Sequence, residues 1–429
     1  MSHAQTLAEK LVARACGRAT VSPGEIVTCA VDLAMMHDSG GPRRVEPILE
    51  RLGVGVWDAS KIAIVTDHFT PASDAESAAI LDLTRKWVKK RGVPNFYDMQ
   101  GICHVVLPEH GHLKPGMFVV GGDSHSPTGG AFGCYMFGVG ATEMAGVLAT
   151  GEIWLRVPET IRLEWNGRFA VGVSAKDAML AMCATLGMDG GDYQAIEYAG
   201  SLISDLQMLE RMTLCNMAAE LGAQTGLIAP DAVTAAYLAG CGVEISNTED
   251  LCSDEASDVR VHHTFDANSL GPQVAVPHSP ANAAPVEEVE PIAVDQCYIG
   301  ACTGAKLVDL KMAAEILRGR QVAADVRLLV APASTLTMNA AAADGTLAAL
   351  TEAGAIVLPS GCNACGGYGT GVLAEGEVCI ASTARNFKGR MGASSSKLYL
   401  GSPYTVAAAA VAGHITDPRD LLPAPAEAA

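Results

Sequence analysis

What this chain lacks narrows its function before any motif is read. No stretch approaches an apolar run of roughly 20 residues, the length a membrane-crossing helix needs. Uncharged segments such as Ser126–Thr142 are interrupted by glycine. The first residues carry Glu9 and Lys10 inside an amphipathic pattern, where a signal peptide would have an apolar core. Basic side chains are in deficit, 29 against 47 acidic, for a net charge of −18. Such a balance repels phosphate backbones and anionic lipid, which argues against nucleic-acid or membrane partners. A small anionic substrate stays open, because a few arginines in one cleft reverse the local field. Only 18% of residues are charged and 49% are hydrophobic, a composition that excludes disorder and supplies a large core. No internal repeat is visible. The 429 residues suffice for about three domains, and the expected setting is cytoplasmic.

The 13 cysteines do not read as a disulfide framework: the count is odd and the spacing is spread along a long chain. Most are expected to be buried thiols that pack as small hydrophobes. A metal-binding role needs support from spacing.

The chain opens as a helix, with Thr6 and Glu9 at capping-box spacing, Leu7 and Leu11 on one face, and Gly17 as the stop. Short β-rich runs then alternate with alanine-rich helical stretches, the pattern of an α/β protein with mostly parallel sheets. Lys61–Thr66 reads as a buried strand ending in Asp67-His68, and Gly116–Val120 as another ending in Gly-Gly-Asp123-Ser124-His125. Polar side chains just past the carboxyl ends of parallel strands are where open α/β sheets place ligands. The acidic stretch Glu249–Asp258 reads as solvated surface. Five prolines fall within 272–291, marking a linker between domains at 1–157, 158–271 and 292–429. Further strands are expected at Val326–Val330, Ala355–Leu358 and Val378–Ile380, and the tail Pro423–Ala429 is expected to fray.

Two cysteine motifs stand out. Cys362-Asn-Ala-Cys365 follows a strand-like run beside Gly361, Gly366 and Gly367, and Gly300-Ala-Cys302-Thr-Gly304 lies about sixty residues upstream in a similar setting. Alone, the Cys-x-x-Cys pair fits a redox dithiol, half a zinc site, or chance. A structural zinc or an electron-transfer cluster wants four protein ligands. Three thiolates without a fourth leave one position open for Lewis-acid chemistry on a substrate. Asp67-His68, His104 and Asp123-Ser124-His125 follow strand ends in the first third, and a carboxylate beside an imidazole fixes its tautomer and raises its basicity.

Together, Gly121-Gly-Asp-Ser-His-Ser-Pro-Thr-Gly-Gly130, the two cysteine motifs and Arg385-Asn-Phe-Lys-Gly-Arg390 resemble the signature segments of the aconitase superfamily. The likeness runs in order from about Val31 to Pro418. Within the superfamily it is similar to the large subunits of the 3-isopropylmalate dehydratase and homoaconitase branch, of plant and archaeal type. The resemblance implies three α/β domains around a cluster-binding cleft, without the swivelling fourth domain. It implies a [4Fe–4S] cluster on Cys302, Cys362 and Cys365, with one iron free of protein ligands and prone to loss in air. The activity implied is removal and readdition of water on a 2-hydroxy di- or tricarboxylic acid.

Carried over by motif, Asp67 and His68 match the pair that protonates the leaving hydroxyl. His104 with Asp123, and His125 with Glu220, match further catalytic pairs. His37, Ser124, Asn216, Arg385 and Arg390 match substrate contacts. No segment matches the family's serine-bearing loop, so a separate small subunit is expected to supply that serine and another arginine. Two departures bear on substrate choice: Ala384 stands where relatives carry asparagine, and Gly304 replaces the asparagine common in the motif. The leading substrate is 3-isopropylmalate, with homocitrate, citramalate-, dimethylmalate- or maleate-type acids as alternatives. A non-catalytic iron–sulfur sensor and a structural-zinc protein are the competing classes.

Overall fold

The computed structural model describes residues 4–367 and 369–422; the tail expected to fray lies outside them. The chain divides into two compact units, one comprising Met1–Asn166 with Asp189–Phe265, the other Gly167–Met188 with Asp266–Ala429.

The first unit opens with the expected helix, Leu7–Ala15, capped reciprocally by Thr6 and Glu9 and closed at Cys16, one residue before the glycine. Strand β1 (Ile26–Ala30) pairs antiparallel with a later strand. Then come β2 (Leu33–His37), β3 (Ile62–Thr66), β4 (Asn95–Asp98), β5 (Phe118–Gly121) and β6 (Tyr135–Gly138). These five form one fully parallel sheet in the order β4-β3-β2-β5-β6. The chain runs outward in one direction from β2, then returns and runs outward in the other. That reversal opens a crevice between the carboxyl ends of β2 and β5. Strands β2, β3 and β5 are buried on both faces, which explains their continuous apolar runs. After β7 (Glu152–Arg156), the partner of β1, the unit adds β8 (Thr160–Asn166), β9 (Ala195–Ala199), β10 (Thr225–Leu227) and β11 (Val261–Asp266), ordered β10-β9-β8-β11.

Within the acidic stretch, Leu251 is buried, Ser253 Oγ accepts from the Leu7 N–H, and Asp254 pairs with Lys10. Part of the expected solvated face therefore anchors the opening helix.

The second unit holds β12 (Gln273–Ala275), β13 (Ala283–Pro285), β14 (Gln296–Ile299), β15 (Arg327–Val330), β16 (Ile356–Val357), β17 (Val378–Ala381) and β18 (Lys397–Gly401) in one sheet, β13-β12-β18-β17-β14-β15-β16. Its five parallel strands repeat the topology of the first sheet, with the reversal between β14 and β17. The proline-rich stretch expected as a linker instead contributes β12 and β13, an antiparallel edge. Proline is tolerated there because an edge strand leaves one row of N–H positions unpaired. Tyr298, Leu329, Ala364, Cys365, Leu373, Met391 and Leu398 form a core under the loops that follow.

Candidate active site

In the first unit, the site is built where buried strands stop. The chain leaves β2 at His37-Asp38, β3 at Asp67-His68, and β5 at Gly122-Asp123. His37 spans the crevice: its Nε2–H donates to the Gly122 carbonyl at 3.0 Å, while Nδ1 accepts from the N–H groups of Ser39 and Gly40 at 3.2 and 3.3 Å. Both ring nitrogens are thus used by the neutral tautomer. Burial and the neighbouring His68 push its pKa down.

His68 stacks on His37 with ring centroids 4.1 Å apart and has the opposite character. Its Nδ1 lies 2.7 Å from Asp67 Oδ1, and Asp67 Oδ2 accepts from the Cys103 N–H at 2.8 Å. Burial disfavours a charge on either group, yet the pair overrides it. His68 rises to about 9 and Asp67 falls to about 2. Two stacked imidazoles are therefore held in different protonation states, one neutral and one a proton donor. Asp38 fixes this corner, accepting backbone N–H groups of Asp67, His68 and Phe69 at 3.3, 3.1 and 2.8 Å. Its carboxyl is pushed up by burial and by Asp67. Sequence reading passed over Asp38; its position just past a buried strand, beside His37, was the available signal.

A second group lies on the same unit. Asp123 Oδ1 accepts from His104 Nε2 at 2.7 Å and from the His125 N–H at 2.8 Å. Burial opposes the charge on Asp123, but the His104 hydrogen bond and its attendant field hold its pKa well below the ordinary range. His125 Nε2 lies 3.0 Å from Glu220 Oε1. Each of His68, His104 and His125 therefore meets a carboxylate, and Asp123 is shared, lying also 3.5 Å from His125 Nδ1 and 3.7 Å from His37 Nε2. The sets His37/Asp38/Asp67/His68 and His104/Asp123/His125 each bring donor atoms within 4.8 Å, near enough to hold a metal ion. Yet all but His104 Nδ1 have hydrogen-bond or ion-pair partners within the groups, and a protonated His68 offers no lone pair at Nδ1. The arrangement fits proton handling better than ion binding.

Glycines make the second group possible. A Cβ on Gly130 would stand 1.6 Å from the Gly226 carbonyl oxygen, and one on Gly121 would stand 2.0 Å from Ser126 Oγ. Gly130 thus lets the His125 loop lie directly on neighbouring backbone, and Gly121 lets Ser126 fold back over the strand end. Asn216 is fully buried, and its amide donates to Thr128 Oγ1 at 2.8 Å. It braces the His125 loop instead of presenting an amide to solvent. Ser124 is exposed at the loop tip.

In the second unit, the loops after β14 and β17 flank the topological reversal. Cys302 follows β14, with Ala301 at φ +69° turning the chain before it. Cys362 caps the short 3-10 turn Asn363–Gly366, and Cys365 lies within it. None of the three is in a disulfide; Cys302 and Cys365 are buried and Cys362 is half-buried. Lys306, fully buried, donates from Nζ to the Cys302 carbonyl at 3.1 Å and to Asp309 Oδ2 at 2.7 Å. Ser382 ties the Cys302 loop to the arginine segment: its Oγ accepts from the Gly300 N–H at 3.0 Å and donates to the Gly304 carbonyl at 3.1 Å. Lys176 Nζ donates to the Thr383 carbonyl at 2.5 Å. A Cβ at Gly304 would meet Ser382 Oγ at 2.2 Å, so the glycine is the counterpart of this packing. Ala384 is buried, and Arg385 and Arg390 are half-buried. A Cβ on Gly367 would lie 3.0 Å from the Arg390 carbonyl, which brings the second arginine's backbone against the cysteine turn. Soft thiolates on glycine-flanked loops, one of them open to solvent, suit iron–sulfur or zinc ligation.

Comparison with known proteins agrees with this geometry. Residues 10–413 match the model of the aconitase family (aconitate hydratase). The chain is 47% identical over 422 residues to "3-isopropylmalate dehydratase large subunit 1" of Methanopyrus kandleri, covering 97% of this chain and 100% of that one. It is 45% identical over 392 residues to a "probable methanogen homoaconitase large subunit" of Methanosarcina mazei, covering 91% and 99%. A "3-isopropylmalate dehydratase large subunit" of Herpetosiphon aurantiacus is 44% identical over 421 residues, with 97% of each chain covered. No helix among the described residues is long and apolar enough to cross a membrane.

Proposed function

The chain belongs to the aconitase family, and on that premise we propose that it is the cluster-bearing large subunit of a cytoplasmic hydro-lyase that isomerises 2- and 3-isopropylmalate. Homocitrate and homoaconitate are the second substrate reading, favoured by the homoaconitase names among the relatives. The observation that carries the proposal is the His68–Asp67 contact at 2.7 Å, which keeps a buried imidazole charged beside a neutral one.

In this reading Cys302, Cys362 and Cys365 hold a [4Fe–4S] cluster. When bound, the cluster supplies a Lewis-acidic iron with an open position for a hydroxyl and a carboxylate. The rest is done by side chains of the protein. Hydroxide is a poor leaving group, so His68, protonated at neutral pH, gives its proton to the departing oxygen. Asp67 stabilises the imidazolium and holds its ring. His37 stays neutral and keeps the stack from carrying two charges. His104 and His125, oriented by Asp123 and Glu220, accept or return protons around the alkene. Arg385 and Arg390 pair with substrate carboxylates, and their fixed charge offsets the carbanion-like density on the carbon that loses a proton. A small subunit supplies the base and a further carboxylate-binding arginine.

The test is an anaerobic assay of the reconstituted chain with and without its small subunit. Alkene absorbance is followed over isopropylmalate, homocitrate, citrate, citramalate and malate. Turnover of isopropylmalate only with both chains present supports the proposal; preference for homocitrate selects the second reading. No turnover with a verified cluster and partner leaves the sensor, and zinc in place of iron and sulfide leaves the structural-metal class.

A further inference from the structure

Tyr298 is a fully buried phenol: the Cys365 backbone N–H approaches its oxygen, but its own O–H meets no acceptor among the described residues. A buried hydroxyl whose proton has no acceptor is costly, so such a group calls for a reason. The ring leaves β14 on the face opposite Cys297 and Ile299 and packs in one apolar cluster with Ala301, Ala364 and Cys365, with Cys362 against it. Gly300 is what makes room: a Cβ there would stand 2.1–2.6 Å from the Tyr298 ring and hydroxyl oxygen. The glycine before Cys302 therefore serves to turn a phenol toward the cysteine loops. The shared apolar cluster and the approach of the Cys365 backbone N–H set that oxygen beside the turn that carries two of the three proposed ligands. An ordinary phenol is protonated at neutral pH, so the oxygen keeps its proton and remains a donor.

We propose that the Tyr298 hydroxyl donates a hydrogen bond to a sulfur of the bound cluster, either the Cys365 thiolate or a bridging sulfide, and acts as a positioning residue that tunes the cluster's potential and lifetime. The inference rests on the cluster reading above. Chemically, a sulfur carries the negative charge of a cluster, and an O–H aimed at it from a dry, apolar wall is among the levers that set reduction potential. The same hydroxyl is a burden in the empty protein and a contact in the loaded one. Removing it must therefore act in opposite directions on the two forms.

Tyr298→Phe deletes the oxygen and keeps the ring. The full chain and the variant are reconstituted anaerobically with iron and sulfide, and their cluster content is measured first. The midpoint potential, the lifetime of the cluster absorbance in air, and the melting temperature before reconstitution follow. The expected result is equal iron and sulfide, a lower potential, a cluster lifetime several-fold shorter, and an unchanged or higher melting temperature of the empty protein. Electron–nuclear double resonance of the reduced wild-type cluster, in water and in deuterium oxide, adds a readout independent of the variant's folding. Solvent at the open iron gives exchangeable protons in both proteins, and one further exchangeable coupling is expected in the wild type that disappears in Tyr298→Phe. Equal potentials and equal lifetimes, or the same set of exchangeable couplings in both proteins, overturn the role of Tyr298 while leaving the cluster assignment standing. Failure of the wild type itself to take up iron and sulfide overturns that assignment, and this inference with it.

Discussion

The proton on His68 is the feature most open to a quantitative challenge. Asp67→Asn removes the charge that sustains it while keeping side-chain shape and an acceptor oxygen for Nδ1–H. With a pKa of about 9, about nine-tenths of His68 is protonated at pH 8; at the ordinary value of about 6.5 only about 3% would be, a roughly 30-fold loss. Burial favours a further fall, and the fields of Asp123 and Asp38 resist it, so a value of about 6.5 is the central expectation. The change corresponds to about 3 kcal/mol of pair energy. The assay is a titration of the histidine ring resonances in a 13C-labelled chain, with His68→Gln assigning one signal among the 11 histidines. In the two-subunit enzyme, the alkaline limb of the rate profile is expected to move from about 9 to about 6.5 on the same substitution. The pair also sets a stability window. The raised pKa of His68 contributes stability that is complete below about 6.5 and lost as pH rises through about 9; the lowered pKa of Asp67 contributes stability lost as pH falls through about 2. A wild-type His68 titrating near 6.5, or one unmoved by Asp67→Asn, would refute the reasoning.

Cys362→Ser is expected to abolish cluster binding, read as iron and sulfide per chain, whereas Cys16→Ser, whose thiol only reaches the Ala13 carbonyl, leaves it unchanged; equal effects would sink the ligand assignment. Gly130→Ala drives a methyl into the Gly226 carbonyl and should cost about 3 kcal/mol or more in urea denaturation, so a neutral result would show that the His125 loop does not lie on that backbone. Asp38→Ala strips three backbone N–H groups of their acceptor; a loss of about 2 kcal/mol in stability is expected, with a His68 resonance that broadens as its loop loosens.

Much of the site was legible because buried strands announce their own ends. β3 and β5 are apolar up to Thr66 and Gly121, so the first polar residues beyond them had to lie at the sheet's carboxyl edge. The three histidine–carboxylate contacts were assigned from the motifs of a resembling family, and the structure places each within hydrogen-bonding distance. What stayed hidden depends on long-range packing. The twin topology of the two sheets has no sequence repeat, since strand order is set by pairings across the fold. The proline-rich 272–291 read as a linker because composition does not tell an edge strand from a tether. Asp38 looked like any aspartate until the N–H groups of Asp67, His68 and Phe69 converged on it. Tyr298 was unreadable, because only the absence of a Cβ at Gly300 and of an acceptor for its proton among the described residues marks it.

The central claim is that three cysteines hold a cluster whose open iron takes the substrate. Mössbauer spectroscopy of the 57Fe-reconstituted chain, in complex with its small subunit and with or without the hydroxy acid, tests it most directly. About a quarter of the iron signal is expected to shift when the acid is added, and Cys302→Ser, Cys362→Ser or Cys365→Ser is expected to remove the cluster spectrum altogether. Iron that ignores the acid, or a cluster spectrum that survives loss of any one of those cysteines, would contradict it.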